Sequence, residues 1–395
     1  MLLLTAMVSA SAWAGDFVKG ADVSWCTEME HDGVRFRDAD GNEADIFKIV
    51  KGLGMGAVRL RVWVDPAATY GPYCDLADVL AKARRASSQG LDIMIDFHYS
   101  DVFTDPGAQA TPSQWQGCDL QQLTAKVATH TTAVLQTLKA EGIAPKWVQV
   151  GNETNNGMLW PAGKIDWEKS GALRYASYVA LSNAGYDAVK SVLPEAKVIV
   201  HIANAYNAGD WDGWFVNDFI AAGGKLDMIG LSHYPDYDRW DSSDADAVSN
   251  ANAAASVETL GRRYSIPVMI CETGFSNHDA GRASAAMSDL LKRMKAQPSC
   301  AGVFYWEPEA DGVWKPAYYD KVGWDAYTMG AFANGRPTAA LDAFGEADGG
   351  ITAIEADNTE GGAEWFDLAG RRVAEPSSAG LYIRRMGNSV EKVRR

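Results

Sequence analysis

The chain alternates between two hydrophobic periods. Short apolar runs, rich in β-branched and aromatic residues and bounded by turn formers, recur at 17–23, 57–62, 92–98, 147–152, 197–202, 227–234, 267–272 and 302–306. Each reads as a buried strand. Between them apolar residues return every three or four positions, as one helix face requires. The stretch from Leu76 to Arg85 does so before Gly90, and the stretch from Leu120 to Ala140 does so before Gly142. Two more helices are predicted, from Ala172 to Leu193 ahead of Pro194 and from Ala285 to Met294 ahead of Pro298. Strands separated by helices predict an α/β chain folded as a (β/α)8 TIM barrel. An open doubly wound sheet is the alternative. It calls for a glycine-rich phosphate turn after the first strand, and Gly20-Ala21-Asp22-Val23-Ser24 is not one.

The two ends of the chain break the alternation. Residues 1–14 are small and apolar, and Ala12-x-Ala14 before Gly15 resembles a signal-peptide cleavage site, although no Lys or Arg precedes the apolar run. The run is too short to cross a bilayer, which takes ~20 apolar residues. A secreted, periplasmic or cell-surface protein is expected. The barrel then occupies 15–345. Residues 346–362 are rich in Gly, Ala and acids and read as a linker, and 363–395 read as a small β-rich tail. That tail has too few apolar residues for a core of its own.

A barrel places its chemistry at the C-terminal ends of its strands. Those ends carry Asp22, Arg59 with Arg61 and Trp63, Asp96 with His98, Asn152 with Glu153, His201 with Asn204, His233 with Tyr234, Glu272, and Trp306 with Glu307. In the second strand Val58, Leu60 and Val62 alternate with Arg59, Arg61 and Trp63, so both arginines share the inward face. Buried arginines are costly unless carboxylates pair with them, and Glu153 and Glu272 are the expected partners. Two of the apolar runs, Trp147-Val148-Gln149-Val150-Gly151-Asn152-Glu153 and Pro267-Val268-Met269-Ile270-Cys271-Glu272, each end in a single Glu. Two carboxyls delivered at one end of two parallel strands suit glycoside hydrolysis, with one protonating the leaving oxygen and the other attacking or activating water.

Composition narrows the substrate. A net charge of −15 argues against nucleic acid, which is neutralised by Lys and Arg, and against polyanions generally. The 14 Trp and 15 Tyr are many for this length; several must pack in the core, and rings near strand ends suit the C–H faces of sugars. Trp63, Trp160 and Trp306 are candidate platforms. The five cysteines form no Cys-x-x-Cys pair and no disulfide framework. Whether Cys74 and Cys118, in neighbouring loops, pair is left open.

In their order along the chain, these stretches resemble glycoside hydrolase family 53, the endo-β-1,4-galactanases of clan A. The matching segments include Val58-Arg59-Leu60-Arg61-Val62-Trp63, Asp96-Phe97-His98-Tyr99-Ser100-Asp101 and Asp105-Pro106-Gly107. They continue with Gly151-Asn152-Glu153-Thr154-Asn155-Asn156-Gly157-Met158-Leu159-Trp160-Pro161, Ser232-His233-Tyr234-Pro235, Glu272-Thr273-Gly274 and Tyr305-Trp306-Glu307-Pro308. The resemblance implies retaining hydrolysis of β-1,4-galactan, the neutral side chains of pectin, with Glu153 as acid/base and Glu272 as nucleophile. It implies that Arg59, His98, Asn152, Tyr234 and Trp306 surround them, and the strand-end residues Asp96 and Glu307 are further candidate supports. Arg59 and the Tyr234 hydroxyl are expected to keep Glu272 ionised, while a second carboxylate and partial burial raise the pKa of Glu153. His233 departs from the Tyr of the family pattern and is expected to alter a subsite. No cofactor is required. Some bacterial members hold calcium in the last loops, where Asn277, His278, Asp279 and Asp311 lie here without regular ligand spacing. A monomer is expected. The alternatives are another clan A endo-glycanase (a mannanase, xylanase or glucanase) and a non-catalytic glycan-binding barrel.

Overall fold

The computed structural model describes residues 15–66, 71–207, 213–235, 243–345, 364–366, 372–373, 381–386 and 389–394. The segments read as a signal peptide and a linker lie outside the described residues.

Eight parallel strands close into a barrel in chain order: β1 (Val18–Asp22), β2 (Ala57–Val62), β3 (Asp92–Phe97), β4 (Trp147–Val150), β5 (Lys197–Ile202), β6 (Met228–His233), β7 (Val268–Thr273) and β8 (Cys300–Trp306). The helices between them are α1 (Cys26–His31), α2 (Ile46–Gly52), α3 (Leu76–Ser88), α4 (Leu120–Ala140), α5 (Ala176–Val192), α6 (Gly213–Ala221), α7 (Ser243–Tyr264), α8 (Ala280–Lys295), α9 (Ala317–Val322) and α10 (Asp342–Gly345). Side-chain oxygens start several of them. Asp119 and Gln122 form a capping box on α4, Asp75 caps α3 and Asp279 caps α8.

The strand period of two separates two cores. Val58, Leu60 and Val62 pack outward with the helices. Ala57, Met94, Trp147, Ile199, Met228, Met269, Cys271, Ala301 and Phe304 face inward and plug the barrel floor. Gly20 admits that plug, because a Cβ built there would lie 2.4 Å from the Phe304 ring. Above the floor the inward positions turn polar, and Asp22, Arg59, Asp96, Gln149 and His201 are fully buried there. On alternation alone Glu272, next to the inward Cys271, would face out. The β6–β7 register shifts from Leu231↔Ile270 to Ser232↔Glu272, and that extra residue re-aims the carboxyl into the barrel.

Residues 346–395 form a separate compact unit. Its described strands are β9 (Glu364–Phe366), β10 (Arg372–Val373), β11 (Leu381–Met386) and β12 (Ser389–Arg394), which make one antiparallel sheet in the order β10-β9-β11-β12. Among the described residues no helix is long and apolar enough to cross a membrane.

Candidate active site

Arg59 is the hub of the polar layer. Its Nη1 lies 2.7 Å from Asp22 Oδ2, and its Nη2 lies 2.8 Å from both Asp96 Oδ2 and Glu272 Oε1. The same Nη2 donates to Asn152 Oδ1 at 2.9 Å, and Nε donates to Gln149 Oε1 at 3.2 Å. One guanidinium therefore holds five side chains from four strands or strand ends. Its fixed fork suits this task, whereas a lysine offers one point charge. Glu272 receives a second contact, from the Tyr234 hydroxyl to Oε2 at 3.0 Å.

Burial pushes the Glu272 pKa up, and the charges of Asp96 and Asp22 add to this. Arg59 and the Tyr234 hydroxyl pull it back. Among the described residues Glu153 makes no such direct ion pair. Burial and the facing Glu272 charge push its pKa up to about 8. Of the two carboxyls, Glu153 therefore keeps a proton at neutral pH, and Glu272 is where the nearby positive charge is spent.

His201, read only as a strand-end residue, tunes Glu153. Its Nδ1 accepts from Gln149 Nε2 at 2.9 Å and from the Glu153 amide at 3.3 Å. The ring proton thus belongs on Nε2, which lies 2.9 Å from Ser232 Oγ and donates to it. That leaves the Ser232 hydroxyl to donate to the Glu153 carboxyl. His98 is fixed in the same way. Its Nδ1 accepts the Thr104 amide at 2.9 Å, so Nε2 carries the proton that faces Asp96 Oδ2, also at 2.9 Å. Desolvation holds both imidazoles neutral.

Three sequence expectations are corrected here. Arg61 pairs with Glu307, at 2.9 Å, and not with Glu153. Both Arg61 and Glu307 are buried beside the upper layer, and Glu307 also accepts the Trp25 amide. Trp63 is no platform, because it is 2% exposed and packs edge-on against Phe103 and Tyr318, with the Arg61 guanidinium over its ring. His233 lines no subsite. It follows inward Ser232, so it points behind the sheet, where Nε2 bonds Asn250 Oδ1 at 2.9 Å. Burial lowers its pKa to about 4, so it stays neutral.

Trp306 and Trp160 remain partly exposed. Trp306 packs against Trp25, Tyr327 and Phe103 at centroid distances of 5.3, 4.7 and 6.1 Å. Trp160 bonds the Asn156 carbonyl through Nε1, with Lys164 over its ring. All five cysteines are free, so Cys74 and Cys118 are not bridged. Asp279 caps α8, and Asp311 accepts the amides of Val313 and Trp314. The Asn277 side chain lies against Gly312, and the amide of the neighbouring His278 faces Ser276. Both carboxylates thus serve backbone amides, and among the described residues no group of three or more His, Cys, Asp or Glu side chains is placed to hold a metal ion.

Gln149, Ser232, Thr104 and Gln109 were not singled out in the sequence. Gln149 has a retrospective signal, as a lone amide inside an apolar strand at an inward position. Thr104 and Gln109 sit in an irregular loop that gives none.

Comparison with known proteins agrees with the barrel fold. The model of the family described as glycosyl hydrolase family 53 matches residues 18–290. An arabinogalactan endo-β-1,4-galactanase of Thermothelomyces thermophilus is 31% identical over 309 residues, covering 73% of this chain and 89% of its own. Among solved structures, the GH53 catalytic domain of Ignisphaera aggregans aligns with a TM-score of 0.71 at 27% identity, over 83% of this chain and 95% of that one. A fungal β-1,4-galactanase aligns at 0.68 and 26% identity, over 83% and 98%.

Proposed function

Because the chain belongs to glycosyl hydrolase family 53, we propose that this glycoside hydrolase is an endo-acting β-1,4-galactanase working by double displacement with retention. The observation that carries the reading is the unequal treatment of two carboxyls at the C-terminal ends of β4 and β7. Glu272 touches Arg59 and Tyr234, while Glu153 is pushed to hold a proton.

Glu272 attacks the anomeric carbon and forms a galactosyl-enzyme, displacing the aglycone oxygen. Glu153 gives that oxygen its proton, then takes one from the water that releases the sugar. The two carboxyls are expected ~5–5.5 Å apart, as in retaining enzymes. Asn152 Oδ1 is occupied by Arg59, and its Nδ2 donates to the Thr104 carbonyl at 2.6 Å. The second hydrogen of that amide is directed to the sugar 2-hydroxyl. Trp306 stacks on the sugar bound against Glu272. The natural substrate is the galactan side chain of pectin, met outside the cell. No step needs a metal.

Reducing ends released from linear β-1,4-galactan, β-mannan and xylan test the reading. Galactan is expected to be cleaved to oligosaccharides well ahead of the other two. Preferred cleavage of mannan or xylan would overturn the substrate, and no cleavage of any glycan would favour a binding protein.

A further inference from the structure

We propose that Gln109 is a positioning residue that clamps the acid/base Glu153 from the neighbouring loop. The inference rests on the acid/base role given to Glu153 above.

Glu153 leaves β4 in a left-handed backbone conformation, φ 46°. A non-glycine residue holds that conformation only where its surroundings over-determine it. Gly151, at φ 88°, starts the turn. The carbonyls of Asn152 and Glu153 then point toward the loop that follows β3. There the Gln109 side-chain amide donates to Asn152 O at 2.9 Å and lies 3.3 Å from Glu153 O. It also ties to its own loop, at Asp105 O, at 3.0 Å. Gln109 is 1% exposed, and its Oε1 has no hydrogen-bond partner among the described residues. A buried amide kept for its donors alone, with its acceptor left unmatched, points to what the donors hold.

The loop carrying Gln109 is itself anchored on both sides of the acid. Upstream, the Thr104 amide donates to His98, and Asn152 Nδ2 donates to the Thr104 carbonyl. Downstream, Asn156 Nδ2 donates to Pro106 O at 2.8 Å and the Trp160 amide donates to Gln109 O at 2.8 Å. Thr111 Oγ1 closes the strap on Trp160 O at 2.7 Å. Gln109 sits at its centre, and among the described residues it alone reaches the carbonyl of Glu153. Removing its donors frees the Asn152–Glu153 peptides to relax while the strap keeps its other bonds. The carboxyl then drifts from the leaving oxygen.

A misplaced proton donor has a signature that a merely structural residue lacks. The loss appears only where the leaving group needs a proton. An alkoxide leaving from galactan needs one, and a dinitrophenolate does not. The test uses Gln109→Met, which keeps the shape and removes the donors, on the full chain. In kcat/KM, galactan cleavage is expected to fall roughly 100-fold, the scale of a misplacement of about 1 Å. A 2,4-dinitrophenyl β-galactobioside should lose less than about threefold by the same reasoning, since its departure needs no proton. Gln109→Asn keeps an amide one methylene shorter and should give a smaller split in the same direction, which guards against a variant that folds poorly. Glu153→Ala is the control and should show the largest split. If both substrates fall equally in the Gln109 variants while Glu153→Ala splits them, the clamp is wrong. If Glu153→Ala shows no split, the acid/base assignment fails first and the clamp falls with it.

Discussion

Replacing Tyr234 by Phe isolates one of the two contacts that favour the carboxylate form of Glu272. The ring and its packing remain, and only the donor 3.0 Å from Glu272 Oε2 is lost. A hydrogen bond to a charged group contributes about 1.5–3 kcal/mol. One pKa unit corresponds to about 1.4 kcal/mol. The contact therefore accounts for roughly one to two units. The lower figure fits better, because Arg59 Nη2 stays 2.8 Å away and takes up part of the charge. The sign follows from which form the donor binds. It stabilises the carboxylate, so its loss raises the Glu272 pKa above the level to which burial has already pushed it. The acidic limb of kcat/KM on galactan should move up by about one pH unit, read from initial rates between about pH 3 and 9. That limb belongs to the coupled pair, so the shift and not its absolute position is the observable. A lowered plateau with an unmoved limb would refute the reasoning, since Tyr234 would then act on the sugar and not on the charge of Glu272.

Three further outcomes follow from the site. His233→Leu leaves Asn250 Oδ1 without its ring partner behind the sheet, so it should cost about 1–3 kcal/mol in chemical denaturation while leaving KM on galactan unchanged. Glu153→Gln should gain melting temperature over the parent as pH rises. The raised Glu153 pKa, about 8, makes its contribution to stability largest in acid and lost as pH climbs through that value, and Gln does not titrate. Calorimetry at acidic and alkaline pH reads the difference. A chain ending at Asp348 should keep its kcat, because every residue of the site precedes the unit that begins at Glu346.

Where period and chemistry coincide, the sequence was legible. The expected 57–62 and 197–202 match β2 and β5, and α4 spans the predicted stretch. Alternation also placed Arg59 and Arg61 inward. It could not say which carboxylate each would meet, because partners come from other strands and depend on register. The β6–β7 shift that turns Glu272 inward leaves no trace in composition. Helix α7 was missed because its Ala, Asn, Ser and Asp residues form a weak apolar face. Trp63 was misread because a tryptophan past a strand end looks alike whether it stacks on substrate or, as here, packs edge-on against Phe103. Gln109 and Thr104 were invisible for a different reason. They act from a loop through backbone atoms, and backbone acceptors have no sequence signature.

The central claim is that Glu272 attacks and Glu153 assists, so the product keeps its configuration. Proton NMR of the first products from galactan, recorded before mutarotation, tests this most directly. The account predicts the β-anomer of the new reducing end appearing first, with the α-anomer following only as mutarotation proceeds. Initial appearance of the α-anomer would mean single displacement by water, with the carboxyls spaced ~6.5–9.5 Å apart as in inverting enzymes, and would contradict the nucleophilic role of Glu272.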